Sequence, residues 1–562
     1  MSKSTEELVF APLGGVGEIG MNLGLYGLGP RHRRKWLAVD LGISFASPDI
    51  PGIDLIMPDV AFLEQEAKQG NLVGLIITHG HEDHVGALGE LWPRLGCTVY
   101  TTPFTHALAE ARRLGEPGAP KVPFHVVPTG GRVQIGPFDV EFLPVAHSIP
   151  DSHGLAIRTP LGLVVHTGDW KIDPTPVVGN VTDPARFAAL GDEGVRAVIC
   201  DSTNAFREGI SPSETDVQEV LAEFIAKAPN RVAVTTFASN VARVRSIAEA
   251  AIRNGREVVL VGRAMERVVG VAREQGMLDG LPAFRPADAY GFLPRDKVVA
   301  ILTGSQGEPR AALARIADDD HPEIALSPGD HVIFSSRTIP GNERSVNRII
   351  NALVLQGVKV ITDRDGLVHV SGHPRRGELE QMYQWLRPEI SVPVHGEPLH
   401  LAEHAELARA MGVRQVVRLV DGDMVRLASA DSAQPAEVIE EVPFGRLYKD
   451  GHVLIKSTEP AVAERRRMSF AGVVSVAVAM NAKGEVVGDP MIDLSGLPEK
   501  GVGGKLIDDV IEEAVLDCLD GLPRQRRRDP DAVAESITRA VRGQVNAVWG
   551  KKPLCHVLVI TV

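Results

Sequence analysis

The chain has 562 residues, 44% hydrophobic and 23% charged, with 72 acidic against 59 basic side chains and a formal charge of −13. At roughly 100–200 residues per domain this is material for about three or four units of ordinary globular composition. The acidic balance excludes a protein that coats nucleic acid non-specifically through many Lys/Arg–phosphate contacts. The longest apolar runs, such as Leu72–Thr78 and Val473–Met480, fall far short of the roughly 20 residues of a spanning helix, so no membrane partner is expected.

The start, Met1–Glu7, is polar and reads as no secretory signal. Strand candidates follow at Leu8–Leu13, Asn22–Tyr26, Lys35–Val39 and the buried Leu72–Thr78, then near Val122–Val127, Phe138–Val145, Gly154–Arg158, Leu163–His166 and Ala197–Cys200. Near Ser211 the rhythm changes. Ser213 and Asp216 fit a capping box, and Val217, Val220, Leu221, Phe224 and Ile225 mark one helix face. Strand Val232–Phe237, helix Asn240–Asn254, strand Glu257–Val261 and a helix after Arg263 come next. Strands Lys297–Leu302 and Val332–Ser335, a helix at Asn342–Gln356 and strand Lys359–Ile361 complete a parallel α/β unit.

From Asp363 the texture is again strand and loop, and Ala428–Val442 is linker-like in composition. The last hundred residues form a separate small α/β unit. Phe470–Met480 and Glu485–Leu494 flank Asn481-Ala-Lys-Gly484 as a hairpin, before helices at Gly504–Leu519 and Asp531–Val541 and a strand Cys555–Val562. The boundaries read 1–210, 211–362, 363–440, a linker 441–460 and 461–562, with no internal repeat. Cys97, Cys200, Cys518 and Cys555 lack CxxC spacing and read as reduced thiols of a cytoplasmic protein. The basic clusters Arg31–Lys35, Arg465–Arg467 and Arg524–Arg528 read as solvated loops before RNA or partner contacts.

Gly15-Val-Gly17-Glu-Ile-Gly20 matches the GxGxxG of a dinucleotide site, and Asp40 stands at the spacing of its ribose-binding acid. That mechanism needs a helix to begin at the motif. Here Gly24, Gly27, Gly29 and Pro30 follow and forbid one. Asp40 is better placed to support a metal ligand from behind.

The strongest signal is His79-Gly-His81-Glu-Asp83-His84, four potential ligands in six residues directly after a buried strand. Solvated His-rich loops exist, but rarely in this order at a strand end. His and Asp without Cys suit a catalytic rather than a structural zinc site. Single residues further on, His147 and Asp169, are ordinary when taken alone and gain meaning only beside this cluster.

The segment resembles the HxHxDH signature of the metallo-β-lactamase superfamily, and His147 and Asp169, each just after a strand, fit the next two ligands. The last family ligand is matched by His395, 226 positions beyond Asp169 (395 minus 169). That gap is filled by the α/β unit, which is similar to the β-CASP arrangement. The β-CASP markers fit Asp201, His373 and His395, and histidine at the third tends to go with RNA rather than DNA. Ile77–His84, His147–Ser152, His166–Asp169, Thr236–Asn240, Thr303–Pro309, Ile339–Asn342 and Ser371–His373 further resemble the blocks of the ribonuclease J family, over about residues 8–450.

The resemblance implies an αββα metallo-β-lactamase sandwich with an inserted Rossmann-like β-CASP domain and a small C-terminal domain suited to oligomerisation. It implies one zinc on His79, His81 and His147, a second on Asp83, His84 and His395, and Asp169 bridging, with activation by Mn2+ or Mg2+ as a variant. Asp83, His373 and Asp201 form the implied catalytic group. His369, Val370, Ser371, Gly372 and His373, with Ala238, Ser239 and Asn240, form the implied pocket for an RNA 5′-monophosphate, although Ser239 also suits a helix N-cap. Asp54, the Ile56 carbonyl and Asp450 match places where some members hold a structural Ca2+. The expected activity is 5′→3′ exonucleolytic and endonucleolytic cleavage of single-stranded RNA by a homodimer or homotetramer, in RNA maturation and mRNA decay. Two rivals remain at this stage: a small-molecule hydrolase of the same fold, and an inactive RNA-binding homologue.

Overall fold

The computed structural model describes residues 5–339, 341–431 and 435–562. It divides into two units, Met1–Phe45 with Leu55–Leu447, and Ala46–Asp54 with Tyr448–Val562.

In the first unit two mixed sheets share a core. The eight-stranded sheet runs in the order Glu437–Glu441, Asp423–Ser429, Glu6–Gly14, Leu23–Pro30, Lys35–Val39, Leu72–Ile76, Val99–Thr101, Phe124–Val126. The seven-stranded sheet runs Gln415–Val416, Ile390–Val394, Val195–Asp201, Gly162–His166, His153–Thr159, Phe138–Pro144, Arg132–Ile135. Between them Leu8, Phe10, Tyr26, Leu37 and Ile76 of one sheet pack with Phe138, Phe142, Ile157, Val164 and Ile390 of the other. The outer face of the second sheet is covered by helices Pro184–Glu193, Arg376–Leu386 and Pro398–Ala410 through Phe187, Leu190, Leu379, Met382, Leu386 and Leu407. Helices Ala61–Lys68, Leu88–Leu95 and Pro103–Gly115 alternate with the strands of the first sheet. This is an αββα sandwich.

The insert is a five-stranded, wholly parallel sheet in the order Glu257–Val261, Val298–Leu302, Val232–Thr235, His331–Phe334, Lys359–Ile361. Its strands are near-continuous Val, Ile, Ala and Leu because helices cover both faces. Helix Glu214–Lys227 begins at the expected capping box of Ser213 and Asp216.

Several expectations are corrected. The N-terminal part is not only strand and turn. Its helices are short or carry proline, as Leu88–Leu95 does at Pro93 and Pro103–Gly115 does at its first turn, which hides their periodicity. The stretch after Asp363 contains the two helices from Arg376 and Pro398. Much of Ala428–Val442 is no linker: Glu437–Glu441 pairs antiparallel with Asp423–Ser429 and edges the first sheet, while Ser432–Gln434 lie outside the described residues. The interval 441–460 holds strands Arg446–Asp450 and Val453–Lys456.

In the second unit, strand Val473–Met480 is central, antiparallel to Met491–Ser495 and parallel to Leu554–Thr561. Val474, Val476, Val478 and Met480 alternate into a core closed by helices Ile507–Gly521 and Pro530–Trp549. The turn at Asn481–Gly484 is present, with the Gly484 amide donating to the Asn481 carbonyl at 2.9 Å. Phe470 ends helix Pro460–Ala471 rather than starting the strand, and the return strand is shorter than Glu485–Leu494.

Candidate metal centre

Every side chain at the centre sits where a strand ends. Strand Leu72–Ile76 delivers Thr78 and His79, and a short helix Glu82–Val85 then turns Asp83 and His84 back beside them. His147 follows Phe138–Pro144, Asp169 follows Gly162–His166, and His395 follows Ile390–Val394. The glycine motif near the start opens no helix. Gly15 (φ +89°) offers its carbonyl to the His395 amide at 2.7 Å and so fixes the backbone of that residue, itself at φ +54°.

The seven side chains form two groups that share Asp169: His79, His81, His147 and Asp169, then Asp83, His84, Asp169 and His395. In the first, His81 Nδ1 lies 3.1 Å from His79 Nε2 and 3.0 Å from His147 Nε2. Asp169 Oδ2 is 3.8 Å from His79 Nε2 and 3.6 Å from His147 Nε2. In the second, His84 Nε2 is 3.2 Å and His395 Nε2 3.6 Å from the same oxygen, while Asp83 Oδ2 lies 3.6 Å from His84 Nε2 and 3.3 Å from His395 Nε2.

The outward nitrogens decide what these contacts mean. His147 Nδ1 donates to the Gly372 carbonyl at 2.7 Å, and His84 Nδ1 to Asp40 at 2.7 Å. Thr78 Oγ1 donates to Asp40 and therefore accepts from His79 Nδ1 at 3.0 Å. Thr203 Oγ1 donates to the His395 carbonyl and accepts from His395 Nδ1 at 2.7 Å. Each of these four rings thus turns its Nε2 inward, a bare lone pair on His79 and His147 and, on His84 and His395, a nitrogen facing the Asp83 and Asp169 carboxylates. Such convergence of acceptors repels itself unless cations sit among them. The donor set, all nitrogen and carboxylate, fits two divalent ions of the zinc type.

The proton affinities agree. Burial and the neighbouring rings push His79 and His147 well below the ordinary histidine range, and His81 down to about 4, so all three are neutral at pH 7, the form that can bind a metal. In the second group burial works the same way, but Asp169 and Asp83 outweigh it and lift His395 to about 9. The same carboxylates, with Asp40, raise His84 against burial, and on both rings a proton takes the place of a cation.

Beside the two groups, His373 Nδ1 bonds Asp201 Oδ2 at 2.8 Å and lies 3.8 Å from Asp169 Oδ2. Burial opposes protonation of His373, but Asp201 and Asp169 more than offset it and raise its pKa. Asp201 Oδ1 accepts the Thr203 amide at 2.8 Å. Ser371 Oγ accepts from Asn204 Nδ2 at 2.9 Å and from the His373 amide at 3.3 Å, which leaves its own proton to donate. His369 is half-buried, and its Nδ1 lacks a hydrogen-bond partner. Gly372 is required by close packing: a Cβ there would meet His147 Nδ1 and Ser148 Oγ at 2.6 Å.

Val370 and Ala238 pack in the insert core. Asn240, not Ser239, caps helix Val241–Arg253, accepting from the Arg243 amide at 2.9 Å. Among the described residues no hydrogen bond joins 238–240 to 369–373. Asp54 and Asp450 belong to the second unit, where Asp450 pairs with Arg465 at 2.5 Å and Asp54 accepts the Gly451 amide at 3.1 Å; Ile56 belongs to the first. Thr203, Asn204 and Glu378 were not singled out in the sequence. Glu378 is buried and accepts from the amides of Ile172, Ser211 and Arg375 at 2.8–2.9 Å, tying three segments around the centre. In the sequence it looks like any acid in the first turn of a helix.

Comparison with known proteins adds four family matches: the metallo-beta-lactamase superfamily over residues 51–194, the ribonuclease J beta-CASP domain over 229–353, the Zn-dependent metallo-hydrolase RNA specificity domain over 357–418, and the ribonuclease J C-terminal domain over 460–562. The chain is 54% identical to ribonuclease J of Sinorhizobium meliloti, covering 99% of this chain and 98% of that one. It is 37% identical to that of Corynebacterium glutamicum (98% and 75% covered) and 35% to that of Thermus thermophilus (98% and 94%). A crystal structure of a protein of unknown function from Enterococcus faecalis V583 superposes with a TM-score of 0.51 at 14% identity, over 75% of this chain and all of that one, a likeness of fold alone.

Proposed function

The chain belongs to the ribonuclease J family and is a metal-dependent ribonuclease; from that premise we propose that it uses two zinc ions to degrade single-stranded RNA, exonucleolytically from a 5′-monophosphate end and also internally. The observation that carries this reading is the pair of ligand sets joined by one carboxylate, Asp169. His79, His81 and His147 would hold one ion, Asp83, His84 and His395 the other. Two divalent ions so held would acidify a water and neutralise charge on the scissile phosphodiester.

The chain's own groups do the rest. Asp40, Thr78, Thr203 and the Gly372 carbonyl fix the tautomers of the ligating rings. Asp201 holds His373 through Nδ1, so the ring's Nε2 is the atom that passes a proton to the departing O3′. Cleavage of that P–O bond leaves a 5′-phosphate and a 3′-hydroxyl. The free hydroxyl proton of Ser371 favours a phosphate at the RNA end. Digestion of RNA carrying either a 5′-monophosphate or a 5′-triphosphate tests the reading: mononucleotides should come from the former only, and internal fragments from both.

A homo-oligomer joined through the C-terminal unit belongs to the same proposal. Among the described residues, strand Leu554–Thr561 pairs along one edge only and exposes Leu558 and Ile560, an open edge that a second copy can cover. The reduced, unpaired cysteines fit a cytoplasmic setting.

A further inference from the structure

We propose that Arg207, Arg337 and Arg375 form a clamp for a backbone phosphate of the RNA, beside the end pocket at Ser371; the proposal rests on the ribonuclease reading above. The three guanidiniums come from three chain segments. Arg207 follows strand Val195–Asp201, Arg375 stands two residues beyond His373, and Arg337 lies in the insert, in the loop after strand His331–Phe334. The Arg376 amide donates to the Arg207 carbonyl at 2.9 Å, which fixes the Arg375 segment against that of Arg207; Arg337 lies against Asp363, and after burial the charges of Arg337 and Arg375 lower the proton affinity of Arg207, with Asp363 opposing.

Little within the chain neutralises them. Arg207 Nε is buried without a hydrogen-bond partner, and the guanidinium lies 5.1 Å from the Phe206 ring. Arg375 has no ion pair among the described residues, and Arg337 has one loose contact, 3.9 Å from Asp363. The adjacent Arg376 shows the ordinary alternative, paired with Glu208 at 3.2 Å and Glu403 at 3.3 Å. Like charges held together without counter-charge repel one another, and a bound anion relieves the repulsion. Guanidinium forks match phosphate oxygens.

The segments are braced. Gln306, buried, donates from Nε2 to the Arg337 carbonyl at 2.9 Å and accepts the Ile339 amide at 2.8 Å. The Thr303–Pro309 block, which the metal chemistry does not use, thus fixes the Arg337 loop. The Arg207 amide bonds the Asn204 carbonyl at 2.8 Å, and Asn204 in turn bonds Ser371. The clamp therefore spans the lactamase fold and the insert. Its members are all half-buried, with 41% of the Arg337 side chain accessible. That suits a strand passing over the site rather than ending in it. In a chain of charge −13, such a local positive site is what lets a polyanion approach.

The test uses Arg207→Gln, Arg375→Gln and the double variant of the zinc-loaded full chain, with single-stranded RNA oligonucleotides bearing either a 5′-monophosphate or a 5′-hydroxyl. Each single substitution should raise KM by about three- to tenfold on both RNAs and leave kcat at saturation within about twofold. The slope of log(kcat/KM) against log salt should flatten by about 0.7 for a lost phosphate contact. Arg207→Lys should keep most of that slope, and Arg376→Gln should match the parent. Unchanged KM and slope in the double variant would overturn the clamp, and so would a loss confined to 5′-monophosphate RNA, which would make it an end sensor. A parent chain that neither binds nor cleaves RNA would instead refute the ribonuclease reading on which the clamp rests.

Discussion

Asp201→Asn isolates the support of His373 from its shape. The carboxylate gives Oδ2 to His373 Nδ1 at 2.8 Å and Oδ1 to the Thr203 amide at 2.8 Å. Asparagine can keep the second bond, so the turn that carries Thr203 and Asn204 should persist. Toward His373 it offers either a neutral oxygen or an NH2 group facing a ring nitrogen that already donates. The charge-assisted bond that holds the ring is lost in either case. Hydrogen bonds to charged groups contribute about 1.5–3 kcal/mol, and 1.36 kcal/mol is about tenfold in rate. We therefore expect kcat to fall about 10- to 100-fold, and KM for RNA to move by less than about threefold, because Asp201 is buried and acts through the imidazole. Single-turnover cleavage of labelled RNA reads the chemical step, and zinc content measured alongside shows whether the ligand groups survive. A rate within twofold of the parent, with zinc retained, would refute the assignment of His373 as the acid held by Asp201.

Ser371→Ala should weaken exonuclease action on 5′-monophosphate RNA by a few-fold to about tenfold, the worth of one hydrogen bond of ~1 kcal/mol, and internal cleavage less; equal losses would place Ser371 in the general machinery. Deleting residues 461–562 should lower the mass seen by light scattering while zinc content stays, and an unchanged mass would remove the C-terminal unit from self-association. His404 is buried between Ser202 Oγ and Tyr383 OH, each at 2.8 Å, and burial pushes its pKa down to about 4. A histidine whose folded pKa lies below the unfolded ~6.5 contributes stability that is fully present above pH 6.5 and lost as pH falls toward 4. Between pH 6.5 and 5 the loss should be about 2 kcal/mol in the parent and absent from that residue's share in His404→Gln, as read from urea midpoints; parallel pH profiles for the two proteins would contradict it.

Much of the site could be read in the sequence because strand ends and ligand spacing are local. His79–His84 directly follows a run of buried apolar residues, and Asp40, read as a support rather than a ribose-binding acid, does hold His84. The parallel insert was legible for the same reason: strand Glu257–Val261 stands between two helical stripes and Lys359–Ile361 directly follows one. What escaped has physical causes. Helix Pro398–Ala410 buries His400, Leu401, His404, Ala405, Leu407 and Ala408, so no single apolar stripe marks it. Glu437–Glu441 is an edge strand of mostly acidic residues whose composition is that of a linker. Thr203, Asn204 and Glu378 act through contacts across more than a hundred residues of chain, and no spacing rule records those.

The most direct test is digestion of a 5′-labelled, monophosphorylated single-stranded RNA by the zinc-loaded protein, before and after chelation and again after zinc is restored. The account predicts labelled mononucleotide from the first time points, no product after chelation, and recovery with up to two zinc ions bound per chain. Undiminished cleavage by a preparation shown to contain no metal would contradict it, as would bound zinc with no cleavage of RNA at all.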